Sequence, residues 1–194
     1  MKSVLPSFYI VIVLLHFSCK RQQKTVTNEM RNEVVNSIVH RTRSNNAEVL
    51  KFIADKDTAD VKFKSEDSAS LIQYITKIDS IFTPEDAAFM WRQALEYHKF
   101  SFDQTQFSDR TIIYPNKYKD FHGELFWDKI ESEYHTDRYI SFSMPLFSKD
   151  LSTVLITICD YADFRKYHGK AYAVLVYKKK NAKWEYFEQL EFAD

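Results

Sequence analysis

The side chains able to do chemistry are spread thinly along this chain. His98, His122, His135 and His168 stand far apart. None forms the His-x-His, His-x-x-His or His-Glu-x-x-His spacing that aims two imidazoles at one metal ion. Glu131-Ser132-Glu133-Tyr134-His135-Thr136-Asp137 gathers four ionisable side chains, a composition that suits a solvated loop as well as a metal site. Ser141 and Ser143 share one face of an alternating segment, but neither sits in a Gly-x-Ser-x-Gly elbow. Asp160-Tyr161-Ala162-Asp163 places two carboxylates beside an aromatic ring. Such a pair does acid–base work when a cleft tunes it, and a polar strand end has the same composition. Cys159 closes the β-rich run Val154-Leu155-Ile156-Thr157-Ile158-Cys159 with no base nearby, the setting of a small buried hydrophobe.

Composition narrows the classes further. The chain of 194 residues holds 27 basic and 27 acidic side chains, so no cationic excess exists to neutralise phosphates, and nucleic acid is not an expected partner. Aromatic residues are dense, with 16 Phe, 12 Tyr and 3 Trp, whereas glycine occurs only at Gly123 and Gly169. A phosphate cradle of the P-loop or Rossmann kind needs several close-approach glycines, so no nucleotide cofactor is implied. Nothing in the motifs implies a metal.

The N-terminus carries the most specific signal. Lys2 precedes an apolar run from Phe8 to Leu15, and Ser18-Cys19 follows. The run is far shorter than the ~20 residues a helix needs to cross a bilayer, and a charged start with a small residue at the cut describes an export signal. The segment resembles a bacterial lipoprotein signal peptide, which implies that Cys19 is lipidated and becomes the mature N-terminus. An uncleaved anchor is the rival reading, since Lys20, Arg21 and Lys24 follow the run. Cleavage after residue 18 leaves 176 residues with one more acidic than basic group, enough for one domain with a real core. With Cys19 lipidated, no second cysteine is left to form a disulfide with Cys159, and no disulfide framework is expected.

Residues 19–27 read as a tether. From Asn28 onward Met30, Val34, Val35, Ile38 and Val39 recur at helical spacing. Ala47, Leu50 and Ile53 suggest a second short helix, Val61-Lys62-Phe63 a brief strand, and Leu71, Ile72, Ile75 and Ile78 a helix over 68–78. Thr83-Pro84-Glu85-Asp86 opens a further helix: the hydroxyl caps, proline suits the first turn and the carboxylates favour its positive end. That helix should bury Ala87, Met90, Trp91, Ala94 and Leu95 and end near Tyr97. Thr111–Tyr114 reads as a strand ended by Pro115, and Leu125–Ile130 as a short helix or turn packed through Phe126, Trp127 and Ile130.

Alternation then takes over. Ile140, Phe142 and Met144 oppose Ser141 and Ser143; Val154–Cys159 and Ala171–Tyr177 read as strands buried on both faces; Trp184–Glu188 returns from a basic tip at Lys178–Lys183. Residues 138–192 are therefore expected to form an antiparallel meander covered on one face by helices from residues 28–97. Helices followed by strands give an α+β class, with 28–194 as one domain.

Two stretches, Phe82-Thr83-Pro84-Glu85-Asp86 to Arg92-Gln93 with Phe102-Asp103, and Tyr139–Asp150 followed by Lys180-Asn181-Ala182-Lys183-Trp184, resemble a family of Gram-negative bacterial lipoproteins of undetermined activity. The family form is a serine, a hydrophobic-Pro-hydrophobic-Phe stretch, a Lys-Asp turn and a final Gly-Lys-Trp hairpin. This chain departs from it at Asp160–Gly169, where members often carry glycines and a cysteine pair.

The resemblance implies a lipid-anchored protein facing the periplasm, in either membrane, with no set activity. Lys20-Arg21-Gln22-Gln23-Lys24 lacks the acidic pattern of some surface lipoproteins, which favours the inward side. The expected role is non-catalytic binding or interaction with an envelope protein. The expected contact residues are Asp160, Tyr161, Asp163, Arg165, Tyr167 and His168 in the charged loop, and Lys179 and Lys180 in the hairpin. An aromatic-rich cone enclosing a small apolar ligand, with binding or weak enzymatic activity, is the first alternative. An immunity-type protein is the second.

Overall fold

The computed structural model describes residues 25–41, 52–54, 81–96, 100–167 and 171–190. Cys19, the expected strand at 61–63, the expected helix at 68–78 and His168 lie outside them. Among the described residues three α-helices precede or flank a sheet whose C-terminal strands form an antiparallel meander, an α+β fold. No described helix is long and apolar enough to cross a membrane.

Helix α1 spans Asn28–Arg41. The Thr27 hydroxyl accepts the Met30 N–H at 3.3 Å, and the stripe Val34, Val35, Ile38 and Val39 is buried. Asn32, also buried, donates to the Asn28 and Ser101 carbonyls and accepts the Asp103 N–H. One amide thus ties α1 to a loop some seventy positions away in the chain. Helix α2 spans Pro84–Leu95, opened by the expected cap: the Thr83 hydroxyl accepts from Asp86 N and the Asp86 carboxylate accepts from Thr83 N. Its core side is Ala87, Phe89, Met90, Gln93 and Ala94; Trp91 is half-buried and Leu95 is exposed, because they project off the buried stripe. Helix α3, Glu124–Tyr134, is longer than its apolar core of Trp127 and Ile130 suggested. Gly123 precedes it at φ +57°, ψ −126°, a backbone geometry that essentially only glycine adopts.

The strands are β1 Phe52–Ala54, β2 Thr111–Ile113, β3 Arg138–Phe142, β4 Leu146–Phe147, β5 Thr153–Ala162, β6 Ala171–Lys180 and β7 Lys183–Leu190. Sheet order is β2-β1-β3-β5-β6-β7, with β4 also on β5. The meander β3-β5-β6-β7 is antiparallel throughout. Two strands extend it in parallel, β1 against β3 and β2 against β1. Ile53 therefore lies in a strand, correcting the helix expected there. A three-residue apolar triplet has no periodicity of its own, and pairing to β3 decided its state.

Strands β3 and β4 both pair with β5 and are interrupted at Ser143-Met144-Pro145. Pro145 has no N–H for a ladder. The Ser143 hydroxyl accepts the Thr157 N–H at 2.9 Å while Ser143 N donates to the Thr157 carbonyl at 2.9 Å. Ser143 is thus a patch in the ladder, which accounts for its serine without nucleophilic chemistry.

Buried side chains form two clusters. The larger gathers α1, α2, the Phe100–Phe107 loop and side chains of β3–β7, including Phe142, Phe147, Val154, Ile156, Val176 and Trp184. The smaller joins Ile113, Tyr118, Trp127, Ile130 and Tyr139, with Tyr161 against them. Here Tyr139 and Tyr161 are directly opposed across the ladder and their rings stack at 5.1 Å, while Trp127 lies 5.7 Å from Tyr139.

Candidate functional site

The charged segment expected to be a loop begins as strand. β5 runs on to Ala162, so Asp160 and Tyr161 are ladder residues opposite Ile140 and Tyr139. The turn proper is Asp163–Tyr167. Asp163 N donates to the Asp137 carbonyl, and the Asp163 carbonyl accepts from Lys166 N and Tyr167 N, all at 2.9 Å.

Asp163 is the hub of this turn and not a contact residue: it is 1 % exposed. Its carboxylate accepts Arg165 Nε at 3.0 Å on both oxygens, Arg165 Nη2 at 2.6 Å and the Arg165 N–H at 2.9 Å. The remaining arm of that guanidinium, Nη1, reaches Asp128 on α3 at 2.7 Å. Lys166 bridges Glu131 on α3 at 3.2 Å and Asp137 at 3.3 Å. Arg138 Nη2 meets Asp160 at 2.6 Å, and its guanidinium lies 5.1 Å from the centre of the Tyr167 ring. Every cation of the turn is thereby committed to a carboxylate of the same molecule, and the segment is clamped onto α3 and β3.

The electrostatics follow the geometry. The Arg165 guanidinium holds the Asp163 carboxyl below the ordinary carboxylate value, more than burial raises it, and Asp163 and Asp128 in return push Arg165 up. A general acid at neutral pH needs the opposite shift. The two carboxylates of Asp160-Tyr161-Ala162-Asp163 each meet a separate guanidinium, Asp160 that of Arg138 and Asp163 that of Arg165.

The neighbouring acids are engaged as well. Glu133 accepts from Lys117 Nζ at 2.5 Å and, in a short contact, from the Tyr118 hydroxyl. Lys117 foremost, then Tyr118, hold the Glu133 carboxyl down; burial foremost, then Glu133, push the Tyr118 phenol up. His135 caps α3 in the left-handed region at φ 54°, donating its N–H to the Glu131 carbonyl. Among the described residues no group of three or more His, Cys, Asp or Glu side chains is arranged around a common metal position.

The clamp leaves two aromatic rings exposed beside its own Arg165 and Lys166. Phe164 is 53 % exposed and Tyr167 40 %. Sequence reasoning named Tyr167 and missed Phe164, whose signal was an aromatic between charged residues in a turn.

Lys179 and Lys180 belong elsewhere. Asp160 pairs with Ala171 at one end of β6 and Thr153 with Lys178 near the other. At a strand rise of about 3.3 Å per residue, the lysines stand roughly 30 Å from the turn. The two expected contact groups are therefore two separate surfaces. The basic tip is also narrower than expected: Lys178–Lys180 end β6, Lys183 opens β7, and the turn is Asn181-Ala182 alone.

The two stretches that carry the family resemblance meet in space. The Gln93 side chain donates to the Phe147 carbonyl at 2.7 Å and accepts the Phe147 N–H at 3.0 Å, pairing with β4 as a neighbouring strand would. Asp86, besides completing the cap, accepts the Lys149 N–H at 2.8 Å. Their residue types serve the docking of α2 on the β4 turn. Comparison with protein-family models, with curated proteins and with solved structures returns no match for the chain.

Proposed function

We propose that this chain is a non-catalytic interaction domain, held at a bacterial membrane by a lipid on Cys19, that presents the Asp163–Tyr167 turn to a protein partner in the cell envelope. The observation that carries the reading is the exposure of Phe164 and Tyr167 on a turn fixed by Arg165 and Lys166 to three carboxylates of α3 and its C-terminal loop. Aromatic anchors held rigid before binding lose little conformational freedom on association, and such residues dominate interface energetics. The lowered Asp163 carboxyl supports a structural role for that residue. The apolar run ending at Ser18-Cys19 supports the anchor.

Intact mass of the protein from its own membranes tests the anchor. A chain starting at Cys19 with added acyl mass, lost in Cys19→Ala, is expected; an unmodified chain retaining residues 1–18 overturns it. A photo-crosslinking amino acid at position 164 tests the surface. A discrete protein adduct is expected there and not at exposed Tyr186 on β7, and equal or absent adducts at both overturn the assignment.

A further inference from the structure

We infer that the tip of the β6–β7 hairpin is a second membrane contact, resting on an anionic phospholipid surface beside the anchored N-terminus. The inference deepens the reading of Cys19 as a lipidated terminus and rests on it. Lys178, Lys179, Lys180 and Lys183 fall within six consecutive positions around the Asn181-Ala182 turn, and from Lys178 to Glu188 they outnumber Glu185 and Glu188 by two. Two of the four have acidic neighbours, Lys179 with Glu33 at 3.7 Å and Lys180 with Glu185 at 4.0 Å. Long surface pairs of this kind are weak and exchange readily for other anions.

The aromatic side chains of the hairpin add to the fit. Lys178 Nζ lies 3.4 Å from the centre of the Phe187 ring. Phe187 is the residue left over at the register shift between Val176 and Tyr177, and both it and Tyr186 are exposed. Lysines beside exposed aromatic rings suit the headgroup region, where cations meet lipid phosphates and rings sit at the apolar boundary. The bulge at Phe187 and Lys183 at the strand start guard the β7 edge against strand addition, which argues against a second copy of the chain as the occupant.

Reach agrees with charge. The Lys179–Glu33 distance shows that the tip lies beside the early turns of α1. Glu33 lies about 8 Å along the axis from the helix start at 1.5 Å per residue. From Cys19 to the helix start at Asn28 an extended chain spans at most about 30 Å. A lipid at Cys19 therefore keeps the tip within reach of the headgroups. The Asp163–Tyr167 turn, at the far end of β5 and β6, then faces away from the bilayer.

The test uses the chain purified from its own membranes and reconstituted into vesicles of phosphatidylcholine, with or without phosphatidylglycerol. Amine-reactive labelling is read lysine by lysine by mass spectrometry, with exposed Lys119 as reference. Lys180 and Lys183 should label roughly fivefold more slowly on the anionic vesicles, and high salt should restore the rate. In Lys180→Gln with Lys183→Gln, two exposed positions, the salt-sensitive protection of Lys178 should fall as well. Equal labelling on both vesicle types overturns the contact. The mass of the same sample separates the two readings. Acylated Cys19 with unprotected lysines removes the tip contact alone; unmodified Cys19 with protected lysines removes the lipid anchor and keeps the tip contact.

Discussion

At the scale of single residues, Asp163 shows how an ionisable side chain can be structural. Its folded value lies below the ordinary 3.8 because Arg165 grips it. The stabilisation it contributes is therefore complete above that value and fades as pH falls through 3.8 toward the lowered folded value. Thermal unfolding followed against pH should show a loss of stability below about pH 4 that is smaller in Asp163→Asn, because Glu133 and the other lowered carboxylates still contribute theirs. At neutral pH the same variant should unfold roughly 5–10 °C lower, since it leaves a guanidinium poorly paired against a buried site. Ala182 is a second informative residue. It stands at φ 62° after Asn181 at φ 48°, in a turn whose second position favours glycine. Ala182→Gly should stabilise the chain by about 1 kcal/mol, measured by denaturant titration, because it relieves a left-handed Cβ clash.

At the scale of elements, the decisive contact is α2 on β4. Gln93 is buried and supplies both halves of a strand-like pairing to Phe147. Gln93→Ala strips partners from a buried N–H and a buried carbonyl together, and should cost about 2–4 kcal/mol in equilibrium unfolding. This element was half legible in the sequence. The Thr83-Pro84-Glu85-Asp86 cap and the helix after it follow from local chemistry, because capping satisfies orphan N–H groups within the same turn. That Gln93 would face the core and bond a chain fifty-four positions away is not written in any local pattern. Ser143 is similar: alternation placed it on a face, and only the partner strand revealed that its hydroxyl replaces a ladder acceptor.

At the scale of the whole molecule, the long strands β5 and β6 separate two surfaces, a clamped aromatic turn at one end and a lysine hairpin at the other. The Gln93 contact lies toward the hairpin end, since β4 pairs with Leu155 and Val154, and the Asp163 clamp lies at the opposite one. Sites this far apart share no partners. The destabilisation of Gln93→Ala combined with Asp163→Asn should therefore equal the sum of the single effects within about 0.5 kcal/mol, and a larger discrepancy in denaturant titrations would show the two ends to be coupled.

The residues alone determined the α+β class, helices α1 and α2, and the meander, because each rests on periodicity and caps that act within a few positions of the chain. The strand state of Phe52–Ala54, the continuation of β5 through Asp160 and Tyr161, and the burial of Asp163 were decided by the tertiary structure. A charged run such as Asp160–Lys166 has the composition of a solvated loop. Whether its charges meet water or one another depends on α3, whose Asp128 and Glu131 reach the turn from more than thirty positions away. Pairing between distant charges is a property of the packed chain, and it turned an expected open surface into a clamp that leaves two aromatic rings outward.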